Sequence, residues 1–199
     1  MPLITQSYIF TSDELQLTTN IVDGGDWSKT AFKTIKEKIK NHLMTEQNGT
    51  CPYCRLRISQ ATSYLPIEHI VPKTKHPVFM FEPKNLAVAC EVCNTEKGDA
   101  EVLVDPLVTI YPTSGQHFLI IHPHFDNYDE HICVDDIFLK PITKKGEKTI
   151  KICNLCRPKV AEENARDKQI IKQSHIHSLS LRLAKENDPN IQKQILDFL

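Results

Sequence analysis

The chain has 199 residues, 40% of them apolar and 25% charged, with 24 Lys and Arg against 25 Asp and Glu for a formal net charge of -1. That length supports one good core, or a small site domain with a helical appendage, and excludes a mini-protein. The balanced charge excludes a global basic field as the means of collecting nucleic acid, so any such binding must be local or shared.

No apolar run approaches the roughly 20 residues needed to span a bilayer, and MPLITQSYIFTSDEL lacks a basic segment followed by a long apolar one. The expectation is a soluble, cytoplasmic protein without a membrane segment. Four of the seven cysteines fall in two C-x-x-C pairs, Cys51/Cys54 and Cys90/Cys93. Without an export signal, this favours reduced thiols and a metal over disulfides.

In chain order, residues 1–25 mix β-branched residues with Asn20, Asp23, Gly24 and Gly25, which predicts a strand or two ending in a turn. From Asp26 or Ser28 as cap, Phe32, Ile35, Ile39 and Leu43 recur at three- and four-residue steps, with lysines on the other face. This is an amphipathic helix ending at Gln47-Asn48-Gly49, with His42 expected at its surface. It leads directly into Cys51-Pro52-Tyr53-Cys54. A redox C-x-x-C should follow a strand and open a helix, whereas here a helix precedes and no long helical period follows. With Cys90 and Cys93 the spacing becomes C-x2-C-x35-C-x2-C, which suits a closed, tetrahedral structural zinc site.

Between the pairs, Tyr64 to Val71 reads as a strand that Pro66 confines to an edge or a strand start, with Glu68 and His69 near its end. Pro72 to Pro77 is a loop, Val78 to Phe81 a short apolar run, and Glu82-Pro83-Lys84 a turn into Asn85. A second strand, Leu86 to Ala89, delivers Cys90, and a short helix is expected to begin near Asn94.

At His69, Asn85 and Asn94 the chain resembles the HNH nuclease family. The steps of 16 and 9 residues, the acid before the first His, the Leu after the middle Asn and the ending C-x-x-C-N-x-x-K-G all match it, over about a quarter of the chain. The third position is Asn rather than His. The resemblance implies a ββα-metal core and phosphodiester hydrolysis, with His69 as general base and Asn94 with Glu68 holding one Mg²⁺ or Mn²⁺. Asn85 is read as a brace between the strands, and Lys73 and Lys97 as phosphate contacts, each of which could equally be a solvated lysine.

Beyond Gly98 the signals weaken. Phe118 to Ile121 predicts a strand, as does Ile132 to Leu139, and Thr143-Lys144-Lys145-Gly146 predicts a turn. His122, His124, Asp126 and His131 could form a further metal site, but alternation along a strand and turn explains them without one. Cys153 and Cys156 form a third C-x-x-C that Cys133 and nearby histidines could complete; buried thiols are the preferred reading. Pro158 opens a long helix to about Asn187, with Ile170, Ile171, Leu179 and Leu183 on its apolar side, and a second helix is expected from Asp188-Pro189 to Leu199.

The layout is also similar to the HNH components of Septu-type and retron-associated anti-phage systems, through the TI-x-x-x-x-L-x-R segment beginning at Thr149 and the mixed-charge helix after it. That resemblance implies an ATPase partner. The expected fold is α+β: residues 1–48 as an N-terminal segment packed on the core, 49–105 as the zinc-stapled HNH core, and 106–199 as a β/helical, partner-binding extension. DNA is the expected substrate. A modification-dependent restriction or homing-type endonuclease is the alternative within the same chemistry. A non-catalytic zinc ribbon binding nucleic acid or protein is the alternative outside it.

Overall fold

Thr11-Ser12-Asp13-Glu14 is a capping box, and it makes the first element a helix. The Thr11 hydroxyl accepts from the Glu14 amide, and the Glu14 carboxylate accepts from the Thr11 amide at 2.9 Å. In the computed structural model, which describes residues 3–18, 24–58, 65–135, 138–183, 185, 189, 192 and 193, helix α1 spans Ser12–Leu17. The β-branched residues predicted strands here, but a local cap outweighs them. Asn20 and Asp23 lie outside the described residues.

Helix α2 spans Lys33–Glu46, after two 3₁₀ turns that delay its start past Asp26 and Ser28. Ile35, Ile39 and Leu43 are buried along one face, as their spacing requires. The helix ends at Gln47, and Asn48 and Gly49 both take positive φ, at 49° and 62°. Gln47 is buried and bonds both the amide and the carbonyl of Val88, each at 2.7 Å. One side chain thus satisfies the open edge of a strand and locks α2 to it. His42 is half-buried, bonding the Gln6 carbonyl at 2.9 Å rather than standing in solvent.

Strands β1 (Ile67–His69) and β2 (Leu86–Val88) pair antiparallel, with His69 opposite Leu86, and helix α3 (Glu91–Lys97) follows. This is the ββα unit. β1 is shorter than the sequence suggested, and Tyr64 lies outside the described residues. α3 starts three residues before Asn94 because Cys90 caps it, its thiol accepting from the Cys93 amide. The helix stops at Gly98, at φ 49° and ψ -128°, a conformation that glycine adopts without strain.

The later segments depart further from expectation. Phe118 to Ile121 is not a strand, since it makes one isolated bridge, Leu103 to Phe118, although Phe118, Ile120 and Ile121 are all buried. Ile132 to Leu139 is the first part of a hairpin, β3 (Ile132–Asp135) against β4 (Phe138–Pro141). Thr143 is no turn residue but the cap of helix α4 (Lys144–Ile152), accepting from the Gly146 amide at 3.1 Å. Helix α5 runs Pro158–Leu183 with proline at its first position. Its Ile170 and Ile171 are exposed, whereas Leu179 and Leu183 on the same expected face are half-buried. The expected last helix falls largely outside the described residues. One apolar cluster nevertheless runs from Ile4 through α2, the knuckles and the hairpin to Val160. The fold is α+β, with small sheets held between helices.

Among the described residues, His122, His124, Asp126 and His131 are not brought together as a metal-ligand group, and their side chains are engaged elsewhere. The Tyr111 hydroxyl contacts His122 Nε2 at 2.9 Å, and His122 Nδ1 accepts from the His124 amide. His124 Nε2 donates to the Leu86 carbonyl at 2.9 Å, tying this segment to the back of β2. Asp126 accepts from the His122 amide and pairs with Lys145 at 2.8 Å. Burial pushes His122 well below its ordinary pKa and His124 down to about 4. In the unfolded chain both titrate at about 6.5, so below that pH the unfolded state binds more protons. The stability that these two buried neutral rings contribute should be fully present above pH 6.5 and be lost as pH falls towards 4. Thermal melts across that window test this, with His124→Gln, which removes one titrating ring, showing a shallower decline than the unsubstituted chain.

Candidate active site

The four cysteines meet because two tight turns present them. In the first knuckle the Arg55 amide donates to the Cys51 carbonyl and Arg55 takes φ 62°, reversing the chain directly after Cys54. In the second, Cys90 caps α3 and Cys93 lies in its first turn. The four Sγ atoms all lie within 4.8 Å of one another, and Cys51, Cys54 and Cys93 are buried. Burial pushes the Cys51 thiol up, while hydrogen bonds from the other thiols pull Cys90 down. Four thiols competing for protons in one apolar pocket suit a thiophilic divalent cation, and the set fits zinc. Arg157 brings an outer partner from the start of α5, its Nη2 lying 3.2 Å from the Cys93 sulfur. Arg157 is the arginine that ends the TI-x-x-x-x-L-x-R segment, and only the structure shows that it reaches the cysteines. Cys153 is buried apart from this group and Cys156 is exposed, so the buried-thiol reading holds for Cys153 only.

The ββα unit carries the other candidate residues. His69 is buried at the end of β1, and its Nε2 lies 3.1 Å from the Met80 carbonyl, which can only accept. Nε2 therefore carries the proton and Nδ1 keeps a free lone pair. The Trp27 ring stands edge-on to the imidazole at 4.5 Å. Burial, with Lys73 and Lys97 adding like charge, pushes His69 down to about 3, so the ring is neutral at physiological pH. Asn85 is fully buried. Its Oδ1 accepts from the Val71 amide at 2.7 Å and from the Tyr111 hydroxyl at 3.1 Å, and its Nδ2 donates to the carbonyls of Val71 and Phe79. It spans the loop between β1 and β2 and makes no contact with the cavity beside His69. That cavity, of about 460 Å³, is lined by Glu68, His69 and Asn94, with Lys73, Trp27 and Asp99 at its sides.

Lys97 is not where a phosphate contact would be. Its side chain is fully buried, 2.7 Å from Glu68 Oε1 and 2.9 Å from the His69 carbonyl. Tyr53, in the first knuckle, donates to the same oxygen at 3.0 Å. Burial raises the Glu68 carboxyl, and the adjacent ammonium opposes that rise. A helical lysine one turn past Asn94 reads as solvated, and only the close approach of α3 to β1 reveals its partner. The Lys97→Met variant should lose about 3–5 kcal/mol by leaving Glu68 buried without its counter-charge. Lys73→Met, at a half-buried position, should cost little, and chemical denaturation of the two variants checks the contrast. Tyr53 and Lys97 both engage Oε1 of Glu68, and Glu68 and Asn94 line the same cavity, so a carboxylate and an amide oxygen are the groups there that could hold a hard divalent cation. Asp99 adds an exposed carboxylate at the rim that the residue pattern did not mark.

A four-cysteine cluster stapling a ββα unit, with a carbonyl-bonded histidine at the end of its first strand, defines an HNH-type endonuclease domain. Residues 51–100 match the HNH endonuclease family, and that stretch is the HNH domain of this protein. The chain is similar to a Septu protein PtuB of Bacillus thuringiensis, 27% identical over 146 residues, covering 72% of this chain and 49% of that protein. It is also 30% identical over 195 residues to a Septu protein PtuB of Bacillus mycoides strain KBAB4, covering 84% of this chain and 66% of the relative. The chain therefore spans between about half and two thirds of the length of these relatives. No solved structure matches it. No described helix is long and apolar enough to cross a membrane.

Proposed function

We propose that the protein is a metal-dependent endonuclease that hydrolyses phosphodiester bonds of nucleic acid, with DNA as the expected substrate. The observation that carries this reading is His69, neutral, with Nε2 engaged by Met80 and Nδ1 unoccupied, beside Glu68 and Asn94 in one cavity. In this reading Nδ1 takes a proton from the attacking water, a contribution typically worth about 10²- to 10⁴-fold. Asn94 and Glu68 would hold Mg²⁺ or Mn²⁺, which when bound supplies charge stabilisation at the scissile phosphate and the leaving oxygen. Lys97 keeps the Glu68 carboxylate in place, and Asn85 keeps the loop after β1 at its spacing from β2. A non-catalytic zinc ribbon has no use for a buried neutral histidine opening onto a cavity that also presents Glu68 and Asn94. The test is incubation of the purified protein with plasmid DNA and with RNA, in Mg²⁺, Mn²⁺ or chelator, beside His69→Ala. Nicking that persists in that variant would refute the assignment.

The biological setting supported by the similarity to Septu PtuB proteins is anti-phage defence, in which this chain acts as the nuclease with an ATPase partner. A modification-dependent or homing-type role is the alternative. The near-neutral chain and the uncovered isoleucines of α5 support dependence on a partner. Cleavage by the isolated protein should then be weak at physiological salt and strong in complex. Recovery from the native cell and assays with and without the captured protein decide it: efficient cleavage by the monomer alone would count against the partner.

A further inference from the structure

We propose that Lys33, Lys36 and Lys40 on α2 form, with Lys73 across the cavity, a track that holds the phosphate backbone of nucleic acid over His69 and Asn94. This rests on the nuclease reading above and adds the surface by which the substrate is held. All four lysines line the same cavity as His69 and Asn94. Positions 33, 36 and 40 recur at three- and four-residue steps, so they share one helical stripe about 10 Å long, the axial span of roughly three phosphates on one strand of a duplex.

Their ion pairing separates them from the other lysine on this helix. Lys38 points elsewhere and is spent on Glu14 at 2.8 Å, whereas among the described residues Lys33, Lys36, Lys40 and Lys73 form no ion pair. The Lys36 ammonium is held at the cavity wall by the Trp27 carbonyl at 3.0 Å, which leaves two of its three N–H groups for a ligand. The acids facing them are Glu37, Asp99 and Glu68, and Lys97 already neutralises Glu68. The surplus positive charge is therefore local to the mouth of the site, on a chain whose overall charge is -1. The apolar face of α2 is locked against β2 through Gln47, so the lysine face is held in register with the strand that pairs with β1 and its histidine.

The test measures binding of a short fluorescein-labelled DNA duplex, and of the same strand alone, to His69→Ala protein without added Mg²⁺ or Mn²⁺, from about 50 to 200 mM salt. In this background three sets are compared: Lys33→Gln/Lys36→Gln/Lys40→Gln, the same three positions to Arg, and Lys144→Gln/Lys148→Gln/Lys151→Gln, exposed lysines of α4, as a control of equal charge. The α2 glutamine triple should reduce the slope of log affinity against log salt by about 2 to 3, as expected for three lost phosphate contacts. The arginine triple should keep the slope, and the α4 triple should leave it unchanged. If the α2 triple disturbs the Trp27 contact, Lys33→Gln/Lys40→Gln spares Lys36 and should reduce the slope by about 1.5. Equal slopes for the α2 and α4 triples, or no binding of either probe, would overturn the track. Equal slopes alongside efficient plasmid cleavage by the unsubstituted protein would sink the track alone, whereas binding that depends on α2, with no cleavage by the unsubstituted protein either by itself or with its captured partner, would sink the nuclease reading alone.

Discussion

Cys54→Ser should release zinc and unfold the HNH module, whereas His69→Ala should do neither. The Cys54 sulfur lies 3.8 Å from that of Cys90 and joins a knuckle outside the ββα unit to the cap of α3. β1 and β2 have three residues each, too few to stand alone, so the closed thiolate site carries much of the module's stability. Apparent zinc binding in comparable small modules is about 10–16 kcal/mol, similar to the whole stability of a domain. Bound zinc and melting temperature measure the effect. Bound zinc should be about one per chain, and it should survive Cys153→Ser, because Cys153 lies outside the cluster. Equal zinc loss in Cys54→Ser and His69→Ala would contradict the separation of the two sites.

The second large effect is on cleavage. His69→Ala should lower the rate by at least about 10²- to 10⁴-fold while the fold persists, since the imidazole makes one hydrogen bond, to Met80, and one edge contact, to Trp27. Asn94→Ala should lower cleavage too, at the half-buried start of the cavity wall, and its loss should be partly relieved by raised Mn²⁺ if the amide is a metal ligand. Asn85→Ala should behave differently, because its four buried bonds support the loop rather than the cavity. Its main effect should be a fall in melting temperature. Single-turnover cleavage and thermal melts of the three variants separate base, ligand and brace.

The zinc pairs and the His69, Asn85, Asn94 order were legible because each depends on short-range spacing. A C-x-x-C knuckle is a local turn, and a histidine next to an acid at a strand end stays there in any packing of that strand. The face of α2 was legible for the same reason, through Ile35, Ile39 and Leu43. The early helix was also locally encoded, in Thr11 and Glu14, but β-branched neighbours obscured it. Phe118 to Ile121 has a strand's composition, yet its partner, residues 102–104, bonds it around only one bridge. Composition does not specify a partner.

By itself, then, the sequence determined which residues could ligate zinc, which histidine could act as base, and which face of α2 was apolar, since covalent spacing and helical period decide those. The tertiary structure decided which charges are spent and which remain available. Lys97 is consumed by Glu68 because α3 is drawn against β1, and Lys33, Lys36 and Lys40 face the cavity because Gln47 locks α2 to β2. A lysine carries the same pattern signal whether it faces water, a carboxylate or a phosphate. Only the distance to its neighbours, set by packing between elements far apart in the chain, distinguishes the three.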